Sequence, residues 1–361
     1  MLLDSALYAE IDYKRRSASL DGQHLDRRRS VFFATTNPRV NARLTYLAAS
    51  VECSLYRNSK VFTHRNRDGN DGPCHGMVPE QRDVSINDAR HVDESRRRQL
   101  EVHGFELLYR PMQRPELEFF DNRQVLQEYY PECAEIVRRA TNAAQVFAFD
   151  HNIRWAAGKD SGERIAGGQQ VQRPIHVVHG DYTLVSAPQR LRALASPPGV
   201  NDTLRYVLEG GKSLLTTDLV SRTLEERKRF ALINVWRNID HSPVMSDPLA
   251  LCDGQSVAPD DLVVFEIHYH DRIGENYFAK YAPYHKWWYY PLVTRDEVVL
   301  IKQWDSAGEL AQSDGVHADS TVGNGDAPCT FSFHTAFSDP NTPTDAPDRQ
   351  SIEVRCVAFF T

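Results

Sequence analysis

From residue 174 onward the chain is a series of short runs rich in β-branched and aromatic side chains. These are PIHVVHGDYTLV, FALINVWRNI, DDLVVFEIHYH, KWWYYPLV, DEVVLIKQWD, FSFHTAF and SIEVRCVAFF, each bounded by Pro, Gly, Asp or Asn. Such runs predict an antiparallel sandwich or barrel. Two helical segments, SAPQRLRALAS and SRTLEERKRF, interrupt the series early, but strands and helices never alternate as βαβ units. The expected fold is therefore mainly β with flanking helices, a double-stranded β-helix (jelly roll, cupin-like) rather than a Rossmann sheet. Upstream, Val125, Leu126, Tyr129, Tyr130, Ala134, Ile136, Val137 and Ala140 recur near helical spacing. They predict a helical stretch over 122–146 that Pro131 divides in two, with the strand-like VFAFDHNIRW behind it. Residues 1–56 read as short mixed elements with a candidate strand in VFFATTNPRV, and 57–98 as a polar, solvated connector. The expected division is a mixed N-terminal extension over 1–100 and a jelly-roll domain with helical inserts over 101–361.

Composition narrows the classes of function. Of 361 residues, 41% are hydrophobic and 25% charged, the ordinary balance of a globular chain with a sizeable core. A formal charge of −7 argues against a nucleic-acid partner held by a basic face. No run approaches the ~18 apolar residues of a membrane span. The opening MLLDSALYAEIDYKRR carries acids early and has no apolar stretch, so no secretory signal is expected. Six cysteines stand apart with no Cys-x-x-Cys pair, which predicts reduced thiols in a cytoplasmic protein rather than a zinc ribbon. The expected partner is a small molecule, and a homo-oligomer is compatible with this reading.

The 14 histidines make any single His-x-Asp cheap. Four occur: His24/Asp26, His91/Asp93, His179/Asp181 and His317/Asp319. The first two adjoin arginine runs and the last lies in a Gly, Ser and Asp-rich stretch. His179/Asp181 alone is flanked by strand formers, and in a strand residues i and i+2 project from one face. An imidazole and a carboxylate there suit a divalent ion, and His334 in FSFHTAF is the candidate third ligand. Two His and one carboxylate form the facial triad of non-haem iron(II) oxygenases, which leaves three positions open. A rival set, Glu266, His268 and His270 with His176, is read instead as the polar side of an edge strand.

The C-terminal DRQSIEVRCVAFFT alternates, so Arg349, Ser351, Glu353 and Arg355 share one face. An Arg fork with a hydroxyl two residues on suits a carboxylate. An exposed strand face with Glu353 paired to an Arg is the equal alternative on the residues alone.

Several runs in one order resemble a known group: HGFELLYRP, FDHNIR, HVVHGDYT, INVWRNI, PLALCD, YHKWWYYPLVTRDEVVLIKQWDS and HTAFSDPNTPTDAPDRQSIEVR. From about residue 100 to the C-terminus the chain is similar to the fungal hydroxylase/desaturase group that includes the aspergillic-acid hydroxylase and gibberellin desaturase. Bacterial cephem methoxylase components are also similar. The resemblance implies a jelly-roll, iron(II)/2-oxoglutarate-dependent dioxygenase acting with O2 on a small secondary metabolite by hydroxylation, desaturation or oxidative cyclisation. It implies that His179, Asp181 and His334 hold the iron, and that Arg349 with Ser351 holds the distal carboxylate of 2-oxoglutarate. It also implies that Asn234 and Tyr289, with Arg237, Trp236 and Lys302, fall in runs that line cosubstrate or substrate, strand packing being the other reading of these. The segment 306–333 is longer than the resemblance leads one to expect, and reads as a lid or a loop. Two alternatives are an iron oxidase that uses no 2-oxoglutarate and binds a carboxylate or amino-acid substrate, and a metal-free jelly-roll accessory subunit.

Overall fold

The computed structural model describes residues 38–66, 72–92, 97–168, 170–199, 202–270, 272–312 and 327–361. Residues 39–361 form one compact unit of two β-sheets. In chain order the strands are β1 (Arg39–Leu47), β2 (Phe62–His64), β3 (Pro79–Asp88), β4 (Phe105–Tyr109), β5 (Gln145–Arg154), β6 (His179–Gly180), β7 (Phe230–Asn238), β8 (Leu249–Cys252), β9 (Leu262–His268), β10 (Ile273–Ala279), β11 (Trp287–Tyr289), β12 (Glu297–Asp305), β13 (His334–Ala336) and β14 (Ser351–Phe359). The larger sheet runs β1-β3-β11-β8-β13-β6-β10-β9-β2 and the smaller β4-β12-β7-β14-β5. This is the jelly-roll architecture that the run of short strands predicts.

Local pattern explains most elements. In β1, Val40, Ala42, Leu44 and Tyr46 are buried while Arg39, Asn41 and Arg43 are exposed, the period of two of a strand with one face inward. The central β7 is buried along its whole length, as a strand covered on both faces must be. Its outer face and that of β14, with Ile233, Val235, Ile352, Val354 and Cys356, join one core with Cys133, Ile136 and Val137 of helix α1 (Tyr130–Thr141). The two predicted inserts form α2 (Ser186–Ala193) and α3 (Thr217–Glu225).

Three features differ from the sequence reading. Pro131 does not break the helical stretch: a π-helical turn over Val125–Tyr129 runs directly into α1, with Pro131 at its second residue. The stretch ends at Thr141, where Asn142 turns left-handed (φ 56°), and residue 146 already belongs to β5. Within 57–98 lie β2 and β3, the latter between β1 and β11. Its one-sided burial, with Ile86 inward and Glu80 and Gln81 among its polar positions, hides the strand in a polar composition. The candidate strand in VFFATTNPRV falls mostly outside the described residues.

Candidate metal centre and anion pocket

The larger sheet brings two distant segments side by side: β13 pairs with β6 so that His334 stands directly opposite His179. Their imidazole centroids are 4.3 Å apart. Asp181 follows β6 by one residue, and its Oδ1 lies 3.8 Å from His179 Nε2. One donor atom from each of His179, Asp181 and His334 lies within 4.8 Å of the others, the only such cluster of His, Cys, Asp and Glu among the described residues. Both imidazoles are buried.

Second contacts aim these donors. His179 Nδ1 lies 2.7 Å from the Val177 carbonyl. A carbonyl only accepts, so Nδ1 carries the hydrogen and Nε2 presents its lone pair to the cluster. Gly180 is pressed from behind: a Cβ there would lie 3.2 Å from the Phe331 ring. Burial, reinforced by the neighbouring imidazole, lowers His179 to about 3, and burial lowers His334 as well. Both rings are thus neutral near pH 7, the form that ligates metal. Burial alone would raise the Asp181 carboxyl, but Arg355, the two imidazoles and Asn234 override it and hold it well below the usual range.

The smaller sheet supplies the opposite wall. Cross-strand register sets Arg154, Asn152 and Asp150 of β5 against Ser351, Glu353 and Arg355 of β14. These in turn face Asn238, Trp236 and Asn234 of β7, so all share one side of the sheet. From this side Asn234 Nδ2 donates to Asp181 Oδ2 at 3.0 Å, and Arg355 Nε donates to the same oxygen at 3.2 Å. Near the start of β14, Arg349 and Ser351 are buried, and neither Arg349 Nε nor Ser351 Oγ has a hydrogen-bond partner. Arg349 donates through Nη1 to the Asp247 carbonyl, and its guanidinium lies over the Trp236 ring, 5.7 Å from the centroid. Burial and the nearby Arg154 bring Arg349 down to about 10, which leaves it charged at neutral pH.

The remaining candidates are placed as follows. Asn234 holds Asp181. Tyr289 is on the opposite side of its strand from Trp288, whose cross-strand neighbours are Leu251 and then His334. It packs edge-on to Phe337, ring centroids 5.5 Å apart. Trp236 joins an apolar cluster with Leu251, Tyr290, Val299 and Ile301. Lys302 and Arg237 occupy the outer side of the smaller sheet, where Lys302 Nζ meets Asp305 Oδ2 at 2.9 Å. In the rival set, His268 Nε2 lies 2.8 Å from Glu266 Oε2, and His176 Nε2 lies 3.2 Å from Asp247 Oδ1. His91 pairs with Asp88 at 2.6 Å; Asp93, His24/Asp26, His317/Asp319 and residues 313–326 of the long segment lie outside the described residues. Sequence reasoning missed the role of Arg355. Alternation set Arg355 on the right face, but nothing local pointed to its partner 174 residues earlier.

Residues 44–359 match the family described as an oxidoreductase/YMDC permease-like domain. No helix among the described residues is long and apolar enough to cross a membrane. A Methylophilus leisingeri protein described only as an "uncharacterized protein in dcmA 3'region" is 45% identical over 207 residues, 57% of this chain and 94% of its own. The Fe(II)/2-oxoglutarate-dependent dioxygenase nvfI of Aspergillus novofumigatus is 29% identical over 281 residues, 76% of this chain and 82% of its own. A solved structure of the iron and alpha-ketoglutarate-dependent endoperoxidase NvfI has the same fold, with a TM-score of 0.67 at 22% identity over 90% of this chain and 98% of that one.

Proposed function

Since the chain belongs to the oxidoreductase/YMDC permease-like family, we propose that it is an iron(II)/2-oxoglutarate-dependent oxygenase that oxidises a C–H bond of a small secondary metabolite. His179, Asp181 and His334 hold the iron. The dioxygenase relative supports the cofactor, and the two neutral imidazoles with one carboxylate supply a donor set that suits it. The observation that carries the cosubstrate is the pair of idle buried groups, Arg349 Nε and Ser351 Oγ, on the wall facing the trio. A buried donor left unpaired costs about 1–3 kcal/mol, and a carboxylate accepting from both groups removes that cost.

Iron(II), 2-oxoglutarate and dioxygen together supply the oxidising power, with the cosubstrate leaving as succinate and carbon dioxide. The chain's own work is positional. Arg349 and Ser351 hold the far carboxylate, so the other end of the cosubstrate is directed at the trio. His179 is kept in one tautomer by Val177, and Asp181 is kept ionised by Arg355 and Asn234. Phe278, edge-on to His179 at 6.4 Å between centroids, and the apolar cluster around Trp236 limit water beside the substrate. Substrate placement decides among hydroxylation, desaturation and cyclisation. A cytoplasmic setting agrees with six free thiols.

The test is a screen of candidate metabolites for substrate-dependent succinate release by iron-loaded protein. The wild type is expected to release about one succinate per product, and His179→Ala none. Substrate oxidation without succinate would overturn the cosubstrate assignment, and failure to take up iron would overturn the centre itself.

A further inference from the structure

Asp181 is the member of the trio that the opposite sheet restrains. Its Oδ2 already accepts from Asn234 Nδ2 at 3.0 Å and from Arg355 Nε at 3.2 Å, while Oδ1 turns toward His179. Arg355 is itself fixed, with Nη1 3.0 Å from Asp150 Oδ2 and Nη2 3.3 Å from Glu353 Oε1. Burial keeps competing water from most of the Arg355 side chain, which is 12% exposed. A carboxylate oxygen has about two lone-pair directions, and two N–H donors take both at Oδ2.

We propose that Arg355 is a positioning residue that, with Asn234, restricts Asp181 to a single metal-binding oxygen and so keeps the neighbouring coordination position open. This rests on the reading of His179, Asp181 and His334 as the iron site. A carboxylate free to rotate would bring both oxygens to the ion and occupy a position that a chelating cosubstrate or dioxygen needs. Two acids around Arg355 serve this end: Asp150 and Glu353 set its plane so that Nε, rather than the flexible tip, meets Asp181.

Cobalt(II), whose visible ligand-field spectrum reports coordination number, is the probe. Titrations of the full chain compare wild type, Arg355→Met, Arg355→Lys, Asn234→Ala and His334→Ala, each with its melting temperature. Arg355→Met is expected to bind cobalt about 10- to 100-fold more weakly, with a spectrum of altered coordination number and a weaker response to 2-oxoglutarate. Arg355→Lys, which keeps the charge, is expected to recover part of the affinity. Asn234→Ala, which removes the second donor and leaves the arginine network whole, is expected to shift the spectrum in the same direction by less. Wild-type affinity and spectrum in Arg355→Met overturn the proposal; if that variant does not fold, an unchanged Asn234→Ala spectrum does so. Wild-type cobalt binding in His334→Ala would instead refute the metal site on which the proposal stands.

Discussion

Arg237 and Arg349 are both buried, both joined to the smaller sheet, and opposite in what surrounds them. Arg237, on the outer side under α1, engages all three of its side-chain nitrogens: Nε on Tyr129 Oη at 2.8 Å, Nη1 on the carbonyls of Arg110 and Arg295 at 2.8 and 2.6 Å, and Nη2 on Glu132 at 3.2 Å. Arg349 donates to one carbonyl through its side chain and leaves Nε idle beside an idle Ser351 hydroxyl. A buried cation with every nitrogen engaged braces the fold, because losing it strands several partners at once. One kept dry with a donor to spare is prepared for something that arrives later.

The sharpest way to break this contrast is to replace each arginine by Met. Arg237→Met is expected to cost about 3–5 kcal/mol of folding stability, because Glu132 is left buried and unpaired, while the affinity of folded protein for 2-oxoglutarate stays within twofold. Denaturant titration and cosubstrate binding measure the two quantities. The covered side should also carry an acid sensitivity. His151, on the same outer face as Arg237, is buried against Tyr130 Oη at 2.9 Å, and burial lowers it to about 4. Its folded-state value lies below the unfolded 6.5, so the unfolded chain binds the extra proton in between. The stabilisation is complete above about pH 6.5 and is lost as pH falls toward 4, on the order of 3 kcal/mol for this one group. Unfolding midpoints from pH 7 to 4 should therefore fall more steeply for wild type than for His151→Gln. On the pocket side, Arg349→Met is expected to weaken 2-oxoglutarate by about 30-fold or more with a melting temperature equal to or above wild type. Ser351→Ala should be the mildest, about 1 kcal/mol or roughly fivefold in the KM for 2-oxoglutarate. A large loss of stability in Arg349→Met would place it in the same class as Arg237.

Much of this arrangement is visible in the chain itself, for reasons that differ by residue. The strands of the smaller sheet are apolar on one or both faces, so FALINVWRNI and SIEVRCVAFF announce themselves. β3 is polar with one side only partly covered, and its composition conceals its period. His179 and Asp181 are legible because two side chains two apart in an extended stretch share a face, whereas a lone His in an apolar strand reads first as a core residue and His334 is singled out by the resemblance. Alternation carried back from β14 likewise sets Arg349 beside Ser351. What alternation does not supply is the absolute side. Tyr289, Lys302 and Arg237 lie in the right strands and face away from the trio, since which parity turns inward depends on what the opposite sheet and α1 bring to bear. The hold of Arg355 on Asp181 is a contact between layers, and no local pattern encodes such a contact.

That cross-layer hold has a consequence for assembly. Pairing of β6 with β13 aligns two imidazoles within one sheet, but the carboxylate is oriented only when the other sheet docks. An ion gripping all three would clamp β6 to β13 within the larger sheet and fix the carboxylate that the smaller sheet holds through Asn234 and Arg355, so unfolding should quicken when a chelator removes the ion.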